Sequence, residues 1–434
     1  AHAQFTVTGE LEPTAEYPWM ILYQLKGAKP KYIAYDSIKN GTFSIKIPTK
    51  TAPGVYRLVY DIKNELFVDF INSNEDVSLK FNPKNPTTSV VFTRSEDNKI
   101  YHSYLRAAAV PQQQLDSIQV AYFKEIDAAK EQELRNEYVK WHQNLNSIQK
   151  DYEAKAENRV AAHFIKASAR YNAEKPIKLP ADYLETVQNH FFDNVAFNNQ
   201  VLLNSTFIYD KINDFIFYLN TSEDPDEKVK LRKEAITIVI AKIGSNAILA
   251  KDIEESLLHT FAQEEDITMV NFMLNNYLQL PKELQDVAFV NEIKAQLKTA
   301  VGMVVPTIAW EENGIKKDLL NLTGYKNYVV VFWSSTCSHC LKEMPILYDY
   351  LKDNTTTKVI AVGLEDNQSE VIWQNMITHY KNFIHVYGDH KWKNELAREY
   401  GVNATPSFFV LDAKKKVVAK PDDVEALKIY FAQK

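Results

Sequence analysis

The sequence is poor in cysteine, in glycine and in long apolar runs, and each shortage excludes a class of protein. Two cysteines among 434 residues cannot form a multi-disulfide framework or a four-thiolate zinc site. No apolar run approaches the roughly 18 residues that a membrane-spanning helix needs, so we expect no membrane span. Lys and Arg (50) do not outnumber Asp and Glu (56), so no basic excess points to nucleic acid as a partner.

Glycine is scarce, and its distribution divides the chain into three parts. The 11 glycines are about 2.5 % of the residues, against roughly 7 % in average proteins. Four lie in the first 54 residues, one lies between 55 and 301, and six lie in the last 133. Together with the hydrophobic patterns below, this distribution predicts a β-rich module over 1–95, a helical domain over 96–301 and a third domain over 302–434.

Short apolar–polar alternations separated by turn residues fill the first 95 residues. They lie at 4–8, 19–24, 41–47, 55–62, 65–71, 77–81 and 89–92. Strands of this length and spacing predict an antiparallel β sandwich or barrel. No His, Asp or Glu cluster with catalytic spacing accompanies them, which favours a binding or adapter role for this module.

Helical periodicity replaces this alternation between residues 96 and 301. The clearest apolar stripe repeats at gaps of four and three: Leu134, Tyr138, Trp141, Leu145, Ile148 and Tyr152. We predict an all-α region of six to eight helices, with a break at Pro111. Another helix is predicted to start at Asp224-Pro225, an N-cap followed by a first-turn proline.

Strands and helices alternate after residue 302, which predicts an α/β domain. The predicted strands lie at 307–310, 328–333, 358–363, 383–386, 407–411 and 416–419, and the predicted helices at 338–354, 369–380, 394–400 and 423–431. The run 328–333 is apolar throughout, which is typical of a central strand buried on both faces.

Both cysteines follow that central strand, in Trp333-Ser334-Ser335-Thr336-Cys337-Ser338-His339-Cys340. Cys337 is predicted to lie at a helix N-cap, where unpaired N–H groups and the helix dipole favour a thiolate. A thiolate is the nucleophile of disulfide exchange, and Cys340, one helical turn further on, is within reach to resolve the mixed disulfide.

The cysteine pair has three other possible interpretations. The pair could be half of a zinc site completed by His379, His385 or His390, but these histidines fall on different predicted elements. It could be an inert structural disulfide, although a two-residue loop gives little entropic stabilisation. It could also be two buried thiols that share this spacing by chance.

The motif resembles that of the TlpA/ResA-like thiol–disulfide oxidoreductases of the bacterial envelope, which have a thioredoxin fold. The resemblance covers residues 303–434 and rests on Val-Phe-Trp before the cysteines and on three further segments: Val304-Val305-Pro306-Thr307, Lys342-Glu343-Met344-Pro345 and Tyr400-Gly401-Val402-Asn403-Ala404-Thr405-Pro406-Ser407. The resemblance implies a cis bond between Thr405 and Pro406, packed against the dithiol and able to pair with an extended substrate peptide.

The resemblance also implies roles for the residues around the dithiol. Glu343 matches the family glutamate assigned to proton transfer, although it could equally be an exposed first-turn acid that complements the helix dipole. Val331 stands where thioredoxin keeps a buried aspartate. Four residues are expected to tune the redox poise: Trp333, Thr336, Ser338 and His339. Glu365 and Asp366 follow a strand at the same sheet edge; they could face a substrate, but we expect them to be solvated.

We therefore predict an exported thiol–disulfide oxidoreductase of the periplasm or cell envelope that needs no cofactor beyond its Cys337/Cys340 pair. Its expected partners are protein thiols and disulfides and a membrane thiol reductant, and reduction is the expected direction. Ala1-His2-Ala3 fits the end of a signal-cleavage site or an expression remnant. The alternatives are an envelope binding or scaffold protein with an accessory redox domain, and a thiol peroxidase.

Overall fold

The computed structural model describes residues 5–27, 29–48, 51–366 and 368–433, so Ala1-His2-Ala3 lies outside the described residues. The chain divides into two compact units, Ala1–Ile253 and Glu254–Lys434. The boundary between these units falls inside the helix Ala247–Gln263. The predicted division into three domains, with boundaries at residues 95 and 301, stays a prediction. It is based on the composition and hydrophobic pattern of the sequence, whereas the two units are defined by packing in the structure.

Two four-stranded sheets form the start of the first unit. One sheet has the strand order Thr42–Ile47, Phe5–Leu11, Val77–Phe81 and Val91–Arg94, and the other has Lys29–Ser37, Trp19–Lys26, Gly54–Asp61 and Leu66–Asn72. Apolar residues of both sheets share one core, so the predicted sandwich is confirmed. One pair departs from the antiparallel pattern, because Phe5–Leu11 runs parallel to Val77–Phe81.

The strand Lys29–Ser37 was not predicted, and its position explains why. It lies at the edge of its sheet, and its outward side chains include Tyr32 and Tyr35, which are 54 % and 68 % exposed. An edge strand buries little apolar surface, so its sequence carries only weak alternation.

Ten α-helices lie within residues 96–301, all of which the structure describes, which is more than the six to eight predicted. A short helix, Pro86–Ser89, precedes them. The ten are Glu96–Lys124, Ala128–Lys155, Val160–Ser168, Pro180–His190, Gln200–Leu203, Phe207–Asn213, Pro225–Ile243, Ala247–Gln263, Ile267–Tyr277 and Val287–Leu297. A π-helical turn, Asp214–Leu219, and a 3₁₀ turn, Lys282–Leu284, interrupt the series.

Two of the predicted helix signals had different outcomes. The start at Asp224-Pro225 is confirmed, since the Asp224 carboxylate accepts the N–H of Glu227 at 2.8 Å. The break at Pro111 is wrong, because this proline is buried inside the helix Glu96–Lys124. Tertiary packing there outweighs the one backbone hydrogen bond that proline removes. In the part of the chain that the structure describes, no helix combines the length and apolarity needed to cross a membrane.

The second unit contains the predicted α/β domain, built on a five-stranded sheet. The strand order is Ile384–Gly388, Thr357–Leu364, Asn327–Trp333, Ser407–Asp412 and Val417–Ala419. The hairpin Ala309–Glu312 and Ile315–Asp318 precedes the sheet, and the helices of this domain are Ser338–Leu351, Glu370–Ile377, Glu395–Glu399 and Val424–Ala432, with a 3₁₀ turn at Lys391–Lys393. The central strand Asn327–Trp333 pairs in parallel with Thr357–Leu364 and antiparallel with Ser407–Asp412.

Side chains of the central strand alternate between two cores, one on each face of the sheet. Val330 and Phe332 lie in one core, and Val331 and Trp333 lie in the other with Cys340. Gly363 lies opposite Trp333 on the neighbouring strand. The absence of a side chain there lets Trp373 lie against the sheet, since a Cβ at Gly363 would come within 2.2 Å of the indole Nε1 and 2.6 Å of Cδ1.

We expect Gly363→Ala to lower the free energy of unfolding by about 1–3 kcal/mol, the usual cost of overpacking a core. Trp373 must move away from the sheet because the added methyl group occupies the space of its pyrrole ring. Urea unfolding of the full chain, followed by a signal from the second unit, measures the change.

Trp373→Phe supplies the matched control. Phenylalanine lacks the pyrrole ring that a Cβ at Gly363 would meet, and the indole Nε1 has no hydrogen-bond partner to lose. The double variant Gly363→Ala/Trp373→Phe is therefore expected to lose less stability than the sum of the single variants, by about 0.5 kcal/mol or more. Strict additivity would contradict this packing argument.

Candidate active site

The candidate site begins where the central strand ends. Asn327–Trp333 is buried along six of its seven residues, and the chain then turns through Ser334, Ser335 and Thr336 into the helix Ser338–Leu351. We call residues 334–336 the active-site turn. Cys337 is the N-cap of this helix, with extended backbone angles (φ −91°, ψ 118°), and its Sγ accepts the N–H of Cys340 at 3.4 Å. Cysteine thus occupies the place where Ser, Thr or Asp usually caps a helix.

The two thiols have opposite environments. Cys337 is half-buried, whereas Cys340 is fully buried in the core that contains Val331 and Trp333. Burial raises the pKa of Cys337. Side-chain hydrogen bonds with Cys340 and Thr405 lower this pKa by more in total, so it lies below the ordinary value. Burial, followed by the hydrogen bond with Cys337, raises the pKa of Cys340 to about 12. The geometry therefore favours a thiolate on Cys337 and a thiol on Cys340.

The Thr405–Pro406 segment lies beside Cys337. The bond between these two residues is cis, as the resemblance implied. The thiol of Cys337 donates to the carbonyl oxygen of Thr405 at 3.3 Å. Both residues are half-buried and immediately precede the strand Ser407–Asp412, which is the antiparallel neighbour of the central strand.

Glu343 occupies an environment that neither sequence interpretation described. It is half-buried on the active-site helix, and its Oε2 accepts the N–H of Val424 at 2.9 Å. Val424 is the first residue of the helix Val424–Ala432, so Glu343 joins Asp423 in capping that helix. Its role in proton transfer stays a prediction.

The residues expected to tune the redox poise divide into two groups. Thr336, Ser338 and His339 are exposed around Cys337, while Trp333 is fully buried below the cysteines. Trp333 belongs to the same buried core as Cys340, and the tuning role of these four residues stays a prediction. Among the described residues, no group of three or more His, Cys, Asp or Glu side chains is arranged to hold a metal ion.

Glu365 is the residue whose importance the sequence did not reveal. We expected a solvated acid, but Glu365 has no exposed surface. Its Oε1 accepts the N–H of Ser335 at 2.6 Å, and its Oε2 accepts the hydroxyl of Ser335 at 2.9 Å and that of Ser334 at 3.4 Å. Its neighbour Asp366 is half-buried and pairs with Lys391 at 3.0 Å, so the expectation holds better for Asp366.

Strand topology explains the burial of Glu365. The strands Asn327–Trp333 and Thr357–Leu364 are parallel neighbours, so their carboxyl ends meet at the same sheet edge. The residue after one strand is then adjacent to the residues after the other. The length of the apolar run before Glu365, Val359 to Leu364, was the available signal, since it indicates burial up to the end of the strand.

Two family models match parts of the chain. A model described as thioredoxin-like matches residues 324–417, and a domain of unknown function, DUF4369, matches residues 5–101. The first match covers the central strand, both cysteines and the cis-proline segment. The second covers the eight strands of the sandwich and the start of the first long helix.

Curated relatives match a little more than a quarter of the chain. The chain is 27% identical over 124 residues to the thiol-disulfide oxidoreductase ResA of Bacillus cereus, an alignment that covers 28% of this chain and 70% of the relative. It is 27% identical over 122 residues to ResA of Bacillus anthracis, an alignment that covers 28% of this chain and 69% of the relative.

Solved structures that match part of the chain include a domain of a possible thiol-disulfide isomerase from Cytophaga hutchinsonii, with 28% identity, a TM-score of 0.27, and coverage of 31% of this chain and 91% of that one. The thioredoxin domain of a thiol-disulfide oxidoreductase from Bacteroides vulgatus is 26% identical, with a TM-score of 0.27 and coverage of 31% of this chain and 96% of that one.

The model described as thioredoxin-like spans both cysteines, and the curated relatives are thiol-disulfide oxidoreductases. Residues 324–417 thus belong to a thioredoxin-like domain, and the chain is similar to the thiol-disulfide oxidoreductases named ResA.

Proposed function

We propose that the protein reduces disulfides of other proteins in the bacterial envelope through the Cys337/Cys340 pair. The observation that carries this proposal is the difference between the two thiols, since Cys337 accepts the N–H of Cys340 at 3.4 Å while Cys340 is fully buried. An accessible thiolate next to a protected thiol is the arrangement that disulfide exchange requires.

In the first step, the Cys337 thiolate attacks one sulfur of the substrate disulfide. A bond forms between Cys337 Sγ and that sulfur, the substrate S–S bond breaks, and the second substrate sulfur leaves as a thiolate that takes a proton from water. The Thr405–Pro406 segment lies beside the reacting sulfur, since the Thr405 carbonyl oxygen is 3.3 Å from Cys337 Sγ, and we assign to its backbone the pairing with an extended substrate peptide.

In the second step, the thiol of Cys340 loses its proton and attacks Cys337 Sγ. The mixed disulfide breaks, a disulfide forms between Cys337 and Cys340, and the substrate sulfur that was bonded to Cys337 leaves as a thiolate that takes a proton from water. Two electrons have then passed from the dithiol to the substrate. The raised pKa of Cys340, about 12, means that a base must accept its proton, and we assign that role to Glu343.

Reduction is the proposed direction on the strength of the ResA relatives, and a membrane thiol reductant would restore the dithiol. His339 favours the opposite direction, because an imidazole beside the Cys337 thiolate stabilises the reduced form of the protein. The oxidised form is then a stronger oxidant. The envelope is the proposed location because dithiol reductants of this type act on disulfides, which persist in oxidising compartments.

Replacing Cys340 by Ser is expected to trap the first intermediate. Without the resolving thiol, Cys337 stays bonded to its substrate, so covalent complexes should accumulate on incubation with oxidised envelope proteins and disappear when dithiothreitol is added. Non-reducing electrophoresis and mass spectrometry identify the captured proteins.

The double variant Cys337→Ser/Cys340→Ser is the matched control and should capture nothing. Absence of complexes with Cys340→Ser, or equal capture by the double variant, would contradict the assignment of Cys337 as the nucleophile. The single variant Cys337→Ser should reduce a model protein disulfide no faster than background.

Replacing Glu343 by Gln separates proton transfer from helix capping. Glutamine retains an oxygen that can accept the Val424 N–H, so the melting temperature should stay near that of the wild type. Loss of the basic carboxylate should slow release of the mixed disulfide by about tenfold or more. Quenched-flow analysis of the mixed disulfide measures that rate.

Glu343→Ala serves as the comparison, because it removes the base and the cap together. This variant should release the mixed disulfide slowly and should also have a lower melting temperature. The loss of a cap lowers the free energy of unfolding by about 0.5–2 kcal/mol. If Glu343→Gln released the mixed disulfide at the wild-type rate, the proton-transfer role would be contradicted and Glu343 would only cap the helix.

A further inference from the structure

Glu365 is a fully buried carboxylate whose oxygens are directed at the active-site turn, residues 334–336. Oε1 accepts the Ser335 N–H at 2.6 Å, and Oε2 accepts the Ser335 hydroxyl at 2.9 Å. Charge-assisted hydrogen bonds of this kind are shorter and stronger than bonds between neutral groups. Because a buried carboxylate loses its hydration, these bonds must replace water, which ties the turn and the side chain together.

The contacts continue from the turn to the nucleophile. The Ser334 hydroxyl, 3.4 Å from Glu365 Oε2, also accepts the Thr336 N–H at 3.3 Å, and the Ser334 carbonyl accepts the Cys337 N–H at 3.2 Å. Glu365 is itself fixed from the other side, since its N–H donates to Gly388 at 2.8 Å and its carbonyl accepts the Lys391 N–H at 3.0 Å. A rigid strand end therefore supports the turn that positions Cys337.

The conformation of the active-site turn determines where the sulfur of Cys337 lies. At 3.4 Å, the hydrogen bond from Cys340 N–H to this sulfur has an ordinary length for a sulfur acceptor. A shift of the turn that moves the sulfur away from this N–H would weaken the stabilisation of the thiolate. The support below the turn is therefore a direct determinant of the reactivity of Cys337.

We propose that Glu365 is a positioning residue of the dithiol site, whose carboxylate holds the active-site turn so that Cys337 caps the helix. This inference rests on the proposed function, in which Cys337 is the nucleophile. Glu365 acts on Cys337 through the reach of its side chain to Ser335, which holds the turn, and not through a direct electrostatic effect of its charge on the thiol.

Two substitutions of Glu365 separate the effect of its side-chain length from the effect of its charge. Glu365→Asp keeps the charge but is shorter by one methylene, so it cannot reach Ser335 with both of its oxygens as glutamate does. Glu365→Gln keeps the length, and its amide group can serve both serines because their hydroxyls accept as well as donate. Asp366→Asn is the matched control, since Asp366 is adjacent in sequence but pairs with Lys391.

The experiment measures alkylation of Cys337 by iodoacetamide in the reduced full-length protein, as a function of pH. Glu365→Asp should react about tenfold more slowly at pH 7, because a rise of one unit in the thiol pKa lowers the thiolate fraction tenfold. Its pH midpoint should rise by the same unit. Glu365→Gln should keep a midpoint at or below the wild-type value, and Asp366→Asn should match the wild type.

Two results would overturn the proposal: a wild-type midpoint in Glu365→Asp, or a midpoint in Glu365→Gln that rises as far as in Glu365→Asp. Circular dichroism and the melting temperature establish that each variant is folded, and a purely structural role would lower the melting temperature without moving the midpoint. If the wild type fails to reduce protein disulfides, the proposed function is wrong, yet the alkylation profile still tests Glu365.

Discussion

The start of the active-site helix at Cys337 is the constraint on which the candidate site depends. The central strand, Asn327–Trp333, is paired on both sides and buried along six of its seven residues, so its end is fixed in place. The chain then has three residues in which to turn before the helix begins. The sulfur of Cys337 takes the position of a capping oxygen, where backbone N–H groups stabilise negative charge.

The different environments of the two thiols follow from the geometry of that helix. A residue three positions after the cap lies almost one turn further on, and at Cys340 this direction faces the core. The buried positions Met344, Leu347 and Leu351 continue the same face at helical spacing. Glu365 supports the site from the neighbouring strand, because parallel strands bring their carboxyl ends to one edge. Burial of one thiol, exposure of the other and support of the turn are thus consequences of strand order and helix phase.

The features that the sequence predicted are those with strong local signals. The all-apolar run at 328–333, the cap position of Cys337 and the N-cap at Asp224 were each evident from residue type and spacing. Glu365 was not, because its burial depends on which strands are neighbours. The apolar run before it indicates a buried strand end but not that residues 30 positions away lie beside the acid. The strand Lys29–Ser37 and the uninterrupted helix at Pro111 were missed for related reasons: one is an exposed edge, and the other is maintained by tertiary packing.

The central claim is that the start of the active-site helix separates the acidities of the two thiols. Titration of the reduced protein by thiolate absorbance at 240 nm, with Cys337→Ser and Cys340→Ser for assignment, tests this claim directly. The pKa of Cys337 should lie below the ordinary value of a cysteine thiol, and that of Cys340 should be raised to about 12. Two thiols that ionise together near the ordinary value, or earlier ionisation of Cys340, would contradict the account.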